Sequence, residues 1–439
     1  MTTAKPESNG YYVLEQLHLT PAVPADIIKG WADSICNMPE TIPFLDDEKT
    51  CEELCEYLRM DEERSRNLRE VQGIIRATPP LRAYVWHLYY RLVTASFSFG
   101  CHPSGFYSFP MPEYHLKERA SFALLAASMG AVLKAQENYR KDQVPEETIR
   151  HTLSCAFGAL AQDPRYRKKG GGGMSPAVFS WLRLYVSGRL IQLGRFNFKL
   201  METSPFGVVL QNKNDRRKIF LFESGRKCNS KGYILREKNP FGETITDPFA
   251  VGGFTTTLEI TEKGWTGHPV DPRGFILPQK QFFPAEEWDV ILQDGDVMID
   301  MHIPTGGGMT PELCRESFRQ AKEYFSKRYP GKFKEVIICH SWIFNTQFEE
   351  KMPDGNLGKQ MKECYLFPHD SNGQDGAFFI FGKYLKEEDF ATVPRDTRLR
   401  CAMLDLMQTP EQLRCGGMIY FLEDLDHYGE SVYRKNFHL

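Results

Sequence analysis

The sequence predicts an α+β protein, in which a mainly helical N-terminal domain precedes a domain built on a mixed β-sheet with flanking helices. Apolar residues recur with helical spacing up to about Gly194. Directly afterwards they alternate with polar residues, as at Phe196 and Phe198. The chain has 439 residues, which is more than one compact core usually contains. We therefore expect a helical domain over residues 1–194 and a sheet domain over residues 195–439.

The helical domain is indicated by residue spacing and by helix-start signals. Four apolar side chains recur at steps of four, three and four residues, namely Leu81, Val85, Leu88 and Leu92. The Ala- and Leu-rich segment 116–141 predicts a further helix. Pro145 followed by two glutamates predicts a helix to about residue 162, and Ser175-Pro176 predicts another to about residue 193.

The sheet domain begins after Gly194 and alternates strands with fewer helices. The predicted strands after residue 200 are 208–210, 219–222, 255–260, 297–303, 335–339, 377–381 and 418–422, and the predicted helices are 310–329 and 397–407. The strand at 297–303 and the helix at 310–329 have the clearest patterns. The strands 208–210 and 219–222 are expected to form a hairpin.

Composition and charge restrict the class of partner. Hydrophobic residues make up 41% and charged residues 25% of the chain, as in ordinary soluble proteins. The 54 basic and 57 acidic side chains nearly cancel, which argues against a general binder of nucleic acid or of anionic membranes. The most apolar stretch, 120–133, is shorter than the ~20 residues that span a bilayer, so we expect a buried helix there and no membrane segment.

Cysteine usage predicts a reducing compartment and no metal site. The 11 cysteines are spread along the chain, and the first residues, MTTAKPESNGYY, lack the apolar run of a signal peptide. We therefore expect free thiols and a cytoplasmic protein. Cys51 and Cys55 share a helix face, but no second ligand pair follows them. The segment 370–376 departs from a calcium-binding loop at its sixth position, Asp375, and is expected to be a polar turn.

A strand, a glycine loop and a helix form the most informative unit. Three adjacent glycines, Gly306 to Gly308, follow the strand 297–303, and a helix opens at Thr310. Glycines let the backbone approach a ligand, and a helix N-terminus attracts an anion such as pyrophosphate. Arg315 could add positive charge, whereas Glu312 would repel a phosphate. The alternative is a flexible β-to-α connection with an ordinary helix cap.

Two ionisable residues lie on the strand that leads into this loop. Strand alternation places Asp300 and His302 on one face, where they could act as a base and its orienting partner. The alternative is a solvated strand face. Ser341 follows His340 on the next strand, but neighbouring strand residues point to opposite faces. Because the chain also lacks a Gly-x-Ser-x-Gly elbow, a serine hydrolase is disfavoured.

Short motifs occur in a fixed order over the second half of the chain. They are Leu193-Gly194-Arg195-Phe196-Asn197-Phe198, Gly264-Trp265-Thr266-Gly267-His268-Pro269 with Pro272-Arg273-Gly274, Asp300-Met301-His302-Ile303-Pro304 with Gly306 to Gly308, Cys339-His340-Ser341-Trp342, Pro353-Asp354-Gly355-Asn356-Leu357, and Val393-Pro394-Arg395-Asp396-Thr397. In this order the motifs resemble the GNAT-like acyltransferases of Gram-positive bacteria. In that family a helical N-terminal N-acyltransferase domain precedes a GNAT-like C-terminal domain.

The resemblance implies acyl-CoA as donor and the amine of a small molecule as acceptor. It implies that the strands 297–303 and 335–339 splay apart around the pantetheine arm, while the glycine loop holds the pyrophosphate. The residues that would bind the CoA part are Ile303, Thr305, Gly306, Gly307, Gly308, Met309, Thr310 and Arg315. No metal and no nucleic acid are implied.

The resemblance also suggests a mechanism of direct transfer. His302, backed by Asp300, would take the amine proton, and Ser341 or Tyr365 would protonate the leaving thiolate. The chain departs from the family pattern at Ile303, where GNAT loops begin with Arg or Gln, at Gly355, where a Ser is usual, and at Ile343-Phe344-Asn345-Thr346, where Leu-Leu-Asp-Pro is usual. These departures point to a changed substrate or to lost activity.

Two other functions remain open from the sequence. The protein could be a non-catalytic acyl-CoA-binding module, or an acyl-CoA thioesterase in which water replaces the amine. The helical half could line the acyl or acceptor pocket, form a homodimer, or act as a regulatory module.

Overall fold

The computed structural model describes residues 6–19, 24–94, 109–159, 172–202, 204–304 and 306–439. The chain divides into two compact units. The first comprises Met1–Leu193 with Ile303–Gly306, and the second comprises Gly194–His302 with Gly307–Leu439. The predicted α+β class is confirmed, because the first unit is mainly helical and the second carries most of the strands.

The first unit is built from helices around one buried helix. In chain order these are Gly10–Gln16, Pro24–Ile27, Trp31–Cys36, Pro43–Asp46, Glu48–Tyr57, Glu62–Ala77, Pro79–Thr94, Glu113–Leu116, Phe122–Lys141, Glu146–Leu153 and Pro176–Val186. The helix Phe122–Lys141 buries most of its surface, as the apolar stretch predicts. A side chain at Gly130 would overlap Phe44 and Tyr89, so glycine permits this close packing. The predicted face of Pro79–Thr94 is also buried.

Two predicted helix ends in this unit differ from the structure. The helix from Glu146 ends at Leu153 and passes into a π-helical turn at Ser154–Ala159, and the last part of the predicted range lies outside the described residues. The helix Pro176–Val186 ends seven residues before the predicted end, because Gly188 adopts a φ of +71° that breaks the helix. Ile191–Leu193 is then a short strand, β1.

The second unit carries the other strands. They are β2 Phe196–Glu202, β3 Gly207–Asn212, β4 Lys218–Phe222, β5 Lys227–Cys228, β6 Phe254–Thr255, β7 Leu258–Thr261, β8 Gly264–Gly267, β9 Pro269–Asp271, β10 Phe275–Ile276, β11 Gln281–Pro284, β12 Trp288–Leu292, β13 Val297–His302, β14 Val336–Ser341, β15 Tyr365–His369 and β16 Cys415–Phe421. Its longer helices are Pro311–Arg328, Asn356–Glu363 and Arg398–Met407, and its shorter ones are Thr346–Lys351, Ala377–Phe381 and Val432–Lys435.

Within this unit the main sheet has the strand order β2, β13, β14, β16, β15. Only β13 and β14 pair in parallel, and the helix Pro311–Arg328 connects them. The other neighbours are antiparallel, so β13, β14 and β15 run in the same direction. Their carboxyl ends therefore meet at one edge of the sheet.

Two predicted strands of the second unit differ from the structure. The range 255–260 is divided between β6 and β7, which belong to different sheets. Ala377–Phe381 is a short helix, flanked by Gly376 and Gly382 in the left-handed conformation. A short apolar run has no periodicity that separates a strand from a helix. Gly376 decides the outcome here, because its φ of +86° turns the chain and its backbone packs directly against the Trp342 ring.

The main sheet is covered on both faces. On one face the ring of Phe318, from the helix Pro311–Arg328, lies 6.0 Å from Phe196 and 4.9 Å from Tyr420. On the other face Phe220 of β4 lies 5.8 Å from Phe367 and brings in the second sheet, whose order is β10, β9, β4, β3, β12. Burying a phenylalanine of this kind contributes about 2–3 kcal/mol to stability. The packing therefore holds the carboxyl edge of the main sheet in place.

Two sequence-based expectations concern the chain as a whole. The ten cysteines within the described residues are free thiols. In that same part of the chain, no helix combines the length and the hydropathy that crossing a bilayer requires.

Candidate functional site

The candidate site lies where β13 and β14 stop pairing. Their parallel ladder joins Ile299 to Ile337 and Asp300 to Ile338, although β13 continues to His302 and β14 to Ser341. The pairing thus ends two residues before the end of β13 and three residues before the end of β14, as expected for strands that splay apart. The glycine loop follows directly from the splayed end of β13.

Asp300 is a buried carboxylate with a lysine and a histidine as its neighbours. Its side chain is 6% exposed, and its Oδ2 lies 2.9 Å from His302 Nε2 and 3.3 Å from Lys199 Nζ. Lys199 is its direct antiparallel partner on β2. Burial by itself would raise the pKa of Asp300, but the charges of His302 and Lys199 and the hydrogen bond to His302 lower it below its usual value. Asp300 is therefore an anion that can orient the imidazole of His302.

His340 supplies a second imidazole on the same face. Asp300 pairs with Ile338, and two residues further along each strand lie His302 and His340. The two histidines are therefore neighbours at the point where β13 and β14 diverge. The His340 ring is close enough to hydrogen-bond the Ser204 carbonyl, while its Nε2 is buried without a partner among the described residues. Burial, together with the nearby His369, lowers the pKa of His340 to about 4. The ring is neutral near pH 7 and offers a lone pair to the site.

Aromatic side chains surround His340 of β14 and His369 at the end of β15. The ring centroid of Phe206 lies 5.1 Å from that of His340 and 5.4 Å from that of His369, and Phe367 lies 5.4 Å from His340. Phe206 has a φ of +62°, which is rare for a bulky residue. The following Gly207 has no room for a side chain, since a Cβ there would lie 2.1 Å from the Leu221 carbonyl oxygen. The turn is therefore held in a strained form that presents the ring to the histidines.

The glycine loop is open enough to receive a ligand. Gly306 and Gly307 have φ angles of +98° and +30°, and a Cβ on Gly306 would meet nothing within 4 Å. Met309 is buried, and the Thr310 hydroxyl accepts a hydrogen bond from Leu313 N–H as the predicted helix cap. Ile303 is half-buried after β13, and Thr305 lies outside the described residues.

The charges around the loop only partly follow the prediction. Arg315 is exposed one turn into the helix. The Glu312 carboxylate hydrogen-bonds its own backbone N–H and the Thr310 hydroxyl, which lowers its pKa. It therefore occupies the helix N-terminus in the structure described. Arg195 donates from Nε to the Gly308 carbonyl at 3.2 Å and places a guanidinium at the loop.

Several residues of this site were not predicted from the sequence. They are Arg195, Lys199, Phe206, His340, Asn356 and His369. Arg195 and Asn356 lie within quoted motifs, and Asn356 opens a helix with its amide nitrogen 3.7 Å from a Cβ built on Gly308. Lys199 and His340 share the face of His302 through the register of β2 and β14 against β13, which the sequence does not state. No signal in the sequence would have found Phe206.

The other two predicted catalytic residues lie apart from the imidazoles. Ser341 points to the opposite face of β14 from His340, and its hydroxyl accepts a hydrogen bond from Ile343 N–H at 3.5 Å. The Tyr365 hydroxyl is buried, donates to the Val270 carbonyl at 2.6 Å and accepts from Phe220 N–H at 3.2 Å. These bonds tie Tyr365 into the packing between the two sheets, and its catalytic role stays a prediction.

Within the described residues, acidic, histidine and cysteine side chains form no group of three or more that could hold a metal ion.

Two protein-family models match the chain. The GNAT-like C-terminal domain family matches residues 190–419, and the N-acyltransferase N-terminal domain family matches residues 49–188. The chain belongs to the GNAT-like family. This GNAT-like protein is thus an acyltransferase. No curated protein sequence matches the chain.

Solved structures share the fold of this GNAT-like protein over nearly its whole length. An acyltransferase in complex with decanoyl-CoA and teicoplanin has a TM-score of 0.62, one in complex with CoA and 10C-teicoplanin has 0.61, and an acyltransferase mutant in complex with octanoyl-CoA has 0.60. Each is 15% identical, and each match covers 94% of this chain and 99% of the other. At this identity the similarity establishes the fold.

Proposed function

We propose that the protein is an acyl-CoA-dependent N-acyltransferase that moves an acyl group from CoA to the amine of a small molecule by direct transfer. The observation that carries this proposal is the end of the β13 and β14 ladder at Asp300 and Ile338. At that point a buried carboxylate, an imidazole oriented by it and an open glycine loop follow one another within residues 300–308. The family membership and the acyl-CoA complexes of the structural neighbours support the donor.

The glycine loop and its surroundings would hold the CoA pyrophosphate. The loop contributes backbone amides with little steric hindrance, and the helix Pro311–Arg328 contributes its positive end. Arg195 adds a guanidinium beside Gly308. Binding requires the Glu312 carboxylate to turn away from the helix N-terminus, which is possible because that side chain is exposed.

The imidazoles and the carboxylate would carry the proton transfer. The amine nitrogen bonds to the thioester carbonyl carbon, His302 takes the proton that the nitrogen gives up, and the carbon–sulfur bond breaks. CoA leaves as the thiol after taking up that proton from the His302 imidazolium, so His302 is neutral again. Asp300 stabilises the imidazolium that forms on His302, and neutral His340 accepts a hydrogen bond from the amine. Backbone N–H groups of β14 left unpaired by the splay would stabilise the oxyanion.

Mass spectrometry of the reaction products tests this function. Purified protein is incubated with octanoyl-CoA or decanoyl-CoA, with and without a panel of amines, and free CoA and N-acyl products are quantified. The proposal predicts N-acyl product and equal CoA release only when an amine is present. CoA release without an amine would indicate a thioesterase. Acyl-CoA binding without turnover on any amine would indicate a binding module.

Binding of the donor is tested separately by thermal unfolding. At ~100-fold excess over its dissociation constant a ligand stabilises the protein by ~2.7 kcal/mol, which is a shift of roughly 5–10 °C for a unit of 150–250 residues. No shift with CoA, acetyl-CoA, octanoyl-CoA or decanoyl-CoA would contradict the donor. We include in the proposal a Gram-positive bacterial source, on the resemblance of the motifs, a cytoplasmic location, on the free thiols, and a homodimer formed through the helical half.

A further inference from the structure

A polar cavity begins one residue beyond His369. It has a volume of about 580 Å³ and lies between the segments 225–227, 234–239 and 370–375. Because β13, β14 and β15 run in the same direction, the carboxyl-terminal histidines of all three strands reach the same edge of the sheet. The ring of His369 lies 5.6 Å from that of His340, and the next residue, Asp370, lines the cavity. The cavity is therefore adjacent to the proposed transfer site.

The cavity contains a buried guanidinium that is incompletely paired. Arg236 is 4% exposed and donates from Nη1 to two carbonyl groups, those of Glu411 and Leu413, at 3.0 and 3.4 Å. Its Nε has no hydrogen-bond partner among the described residues. Burial and the neighbouring Arg414 lower the pKa of Arg236. A buried cation in this state favours an anionic ligand, because water and protein compensate its charge only in part.

The anions near Arg236 are already engaged. Asp247, which is fully buried, binds the Arg414 guanidinium at 2.7 and 3.2 Å. Glu411 forms an ion pair with Lys231 at 3.0 Å. Among the described residues, the Arg236 guanidinium is thus left with carbonyl groups as its hydrogen-bond partners and with no carboxylate bound to it.

Asp375 is engaged within its own turn. Its Oδ2 accepts hydrogen bonds from the Ser371 hydroxyl at 2.5 Å and from the Asn372 N–H at 3.0 Å. Burial raises the pKa of Asp375, against these hydrogen bonds, which lower it. None of these contacts satisfies the Arg236 Nε, which is left for a ligand.

The rim of the cavity carries both signs of charge. Arg226 pairs with Asp370 at 2.5 Å, and Lys227 pairs with Glu237 at 3.0 Å. Lys238 is exposed and forms no side-chain ion pair within the described chain. Acidic groups at the rim suit an ammonium, whereas Lys238 and Arg236 together suit an anion.

We propose that this cavity binds the acceptor and selects amines that also carry a carboxylate or phosphate group, which Arg236 and Lys238 would pair. The inference rests on the proposed function, because the amine must reach His302 past His369. The bond formed is the amide and the bond broken is the thioester carbon–sulfur bond, so the anionic group of the acceptor is a handle that takes no part in the chemistry.

Matched pairs of amines test this selection. Glucosamine 6-phosphate is compared with glucosamine, and L-lysine with L-lysinamide, by thermal unfolding in the presence of CoA and by product formation with octanoyl-CoA. We expect at least one anionic member to bind at least tenfold more tightly than its neutral partner. Equal binding within both pairs would overturn the inference. Failure of all four amines to bind, while acyl-CoA still stabilises the protein, would also overturn it.

Three variants locate the selection in the cavity. Lys238→Glu and Arg236→Gln are expected to weaken binding of the anionic amine at least tenfold and to leave the neutral amine within about twofold. Lys263→Glu makes the same charge change on an exposed turn outside the cavity and is expected to behave as the wild type. Lys238 is exposed, so its variant folds even if Arg236→Gln does not.

The outcomes separate this inference from the proposed function. The cavity assignment is overturned if Lys238→Glu keeps the preference for the anionic amine. It is also overturned if Lys263→Glu loses that preference to the same extent as Lys238→Glu. If acyl-CoA does not stabilise the wild-type protein against unfolding, that result contradicts the proposed function instead.

Discussion

The substitution Asp300→Asn tests the proposed chemistry most directly, because it removes a charge without changing the shape of the side chain. In the structure that charge lies 2.9 Å from His302 and 3.3 Å from Lys199. Removing the carboxylate that orients a histidine base lowers the rate of hydrolases by up to ~10⁴-fold. We expect kcat to fall by ~10²- to 10⁴-fold, which corresponds to about 3–5 kcal/mol of transition-state stabilisation.

The same substitution is expected to destabilise the fold, and this effect must be separated from the chemistry. The Lys199 side chain is only 14% exposed, so it would lose its anion in a buried position. Breaking one partner of a buried pair costs about 3–5 kcal/mol. In a unit of about 240 residues this lowers Tm by roughly 6–20 °C. Rates must therefore be measured well below the Tm of the variant.

A double variant distinguishes the two contributions. Lys199→Met combined with Asp300→Asn removes both charges, so the buried site is neutral again and most of the lost Tm should return. The rate should stay low, because the His302 imidazole still lacks its carboxylate. Product formation is measured by mass spectrometry and folding by circular dichroism on the same samples. If the rate returns together with Tm, Asp300 serves stability alone and the proposed role of the carboxylate is wrong.

Four further substitutions give independent checks. His302→Ala should lower the rate by ~10²-fold or more with the fold intact, and a loss below tenfold in the product assay would exclude His302 as the base. Gly306→Val should raise the dissociation constant of octanoyl-CoA at least tenfold in calorimetry, because a β-branched residue is strained at a φ of +98°. An unchanged dissociation constant would place the pyrophosphate elsewhere. Tyr365→Phe should lower the free energy of unfolding by about 1–3 kcal/mol with kcat/KM unchanged, because it leaves a buried N–H and a carbonyl unpaired. A large fall in kcat would instead support Tyr365 as the acid that protonates the leaving thiolate. His87 is buried between Ser34 and Ile27 with its pKa lowered to about 4 from 6.5, so only the unfolded chain takes up its proton between these values. Stability from His87 is therefore complete above pH 6.5 and falls by ~3 kcal/mol towards pH 4, and His87→Gln should flatten this part of the Tm curve; identical curves would contradict the assignment.

Regular elements with long periodic patterns could be predicted, and short or irregular ones could not. The helix Pro311–Arg328 and the strand β13 match their predicted ranges to within a residue or two, because each repeats its pattern several times. Ala377–Phe381 was predicted as a strand, because five apolar residues fit either structure, and the left-handed Gly376 selects the helix. Gly188 ends a helix that residue pattern alone would extend.

The candidate site was only partly predictable for a related reason. Asp300 and His302 are two residues apart on one strand, so alternation alone places them on one face. His340, His369 and Phe206 come from other strands and a turn, and they meet only through the register of the sheet and the stacking of a second sheet.

The sequence by itself determined the α+β class, the strand, glycine loop and helix unit, and the pairing of Asp300 with His302. These follow from interactions between residues close in the chain, whose spacing the sequence states directly. Only the tertiary structure decided that burial lowers the pKa of His340, that Lys199 compensates the charge of Asp300, and that an incompletely paired Arg236 lies beneath a cavity. Burial and charge balance depend on neighbours that are up to 200 residues apart in the chain, and no local pattern records which of them will meet.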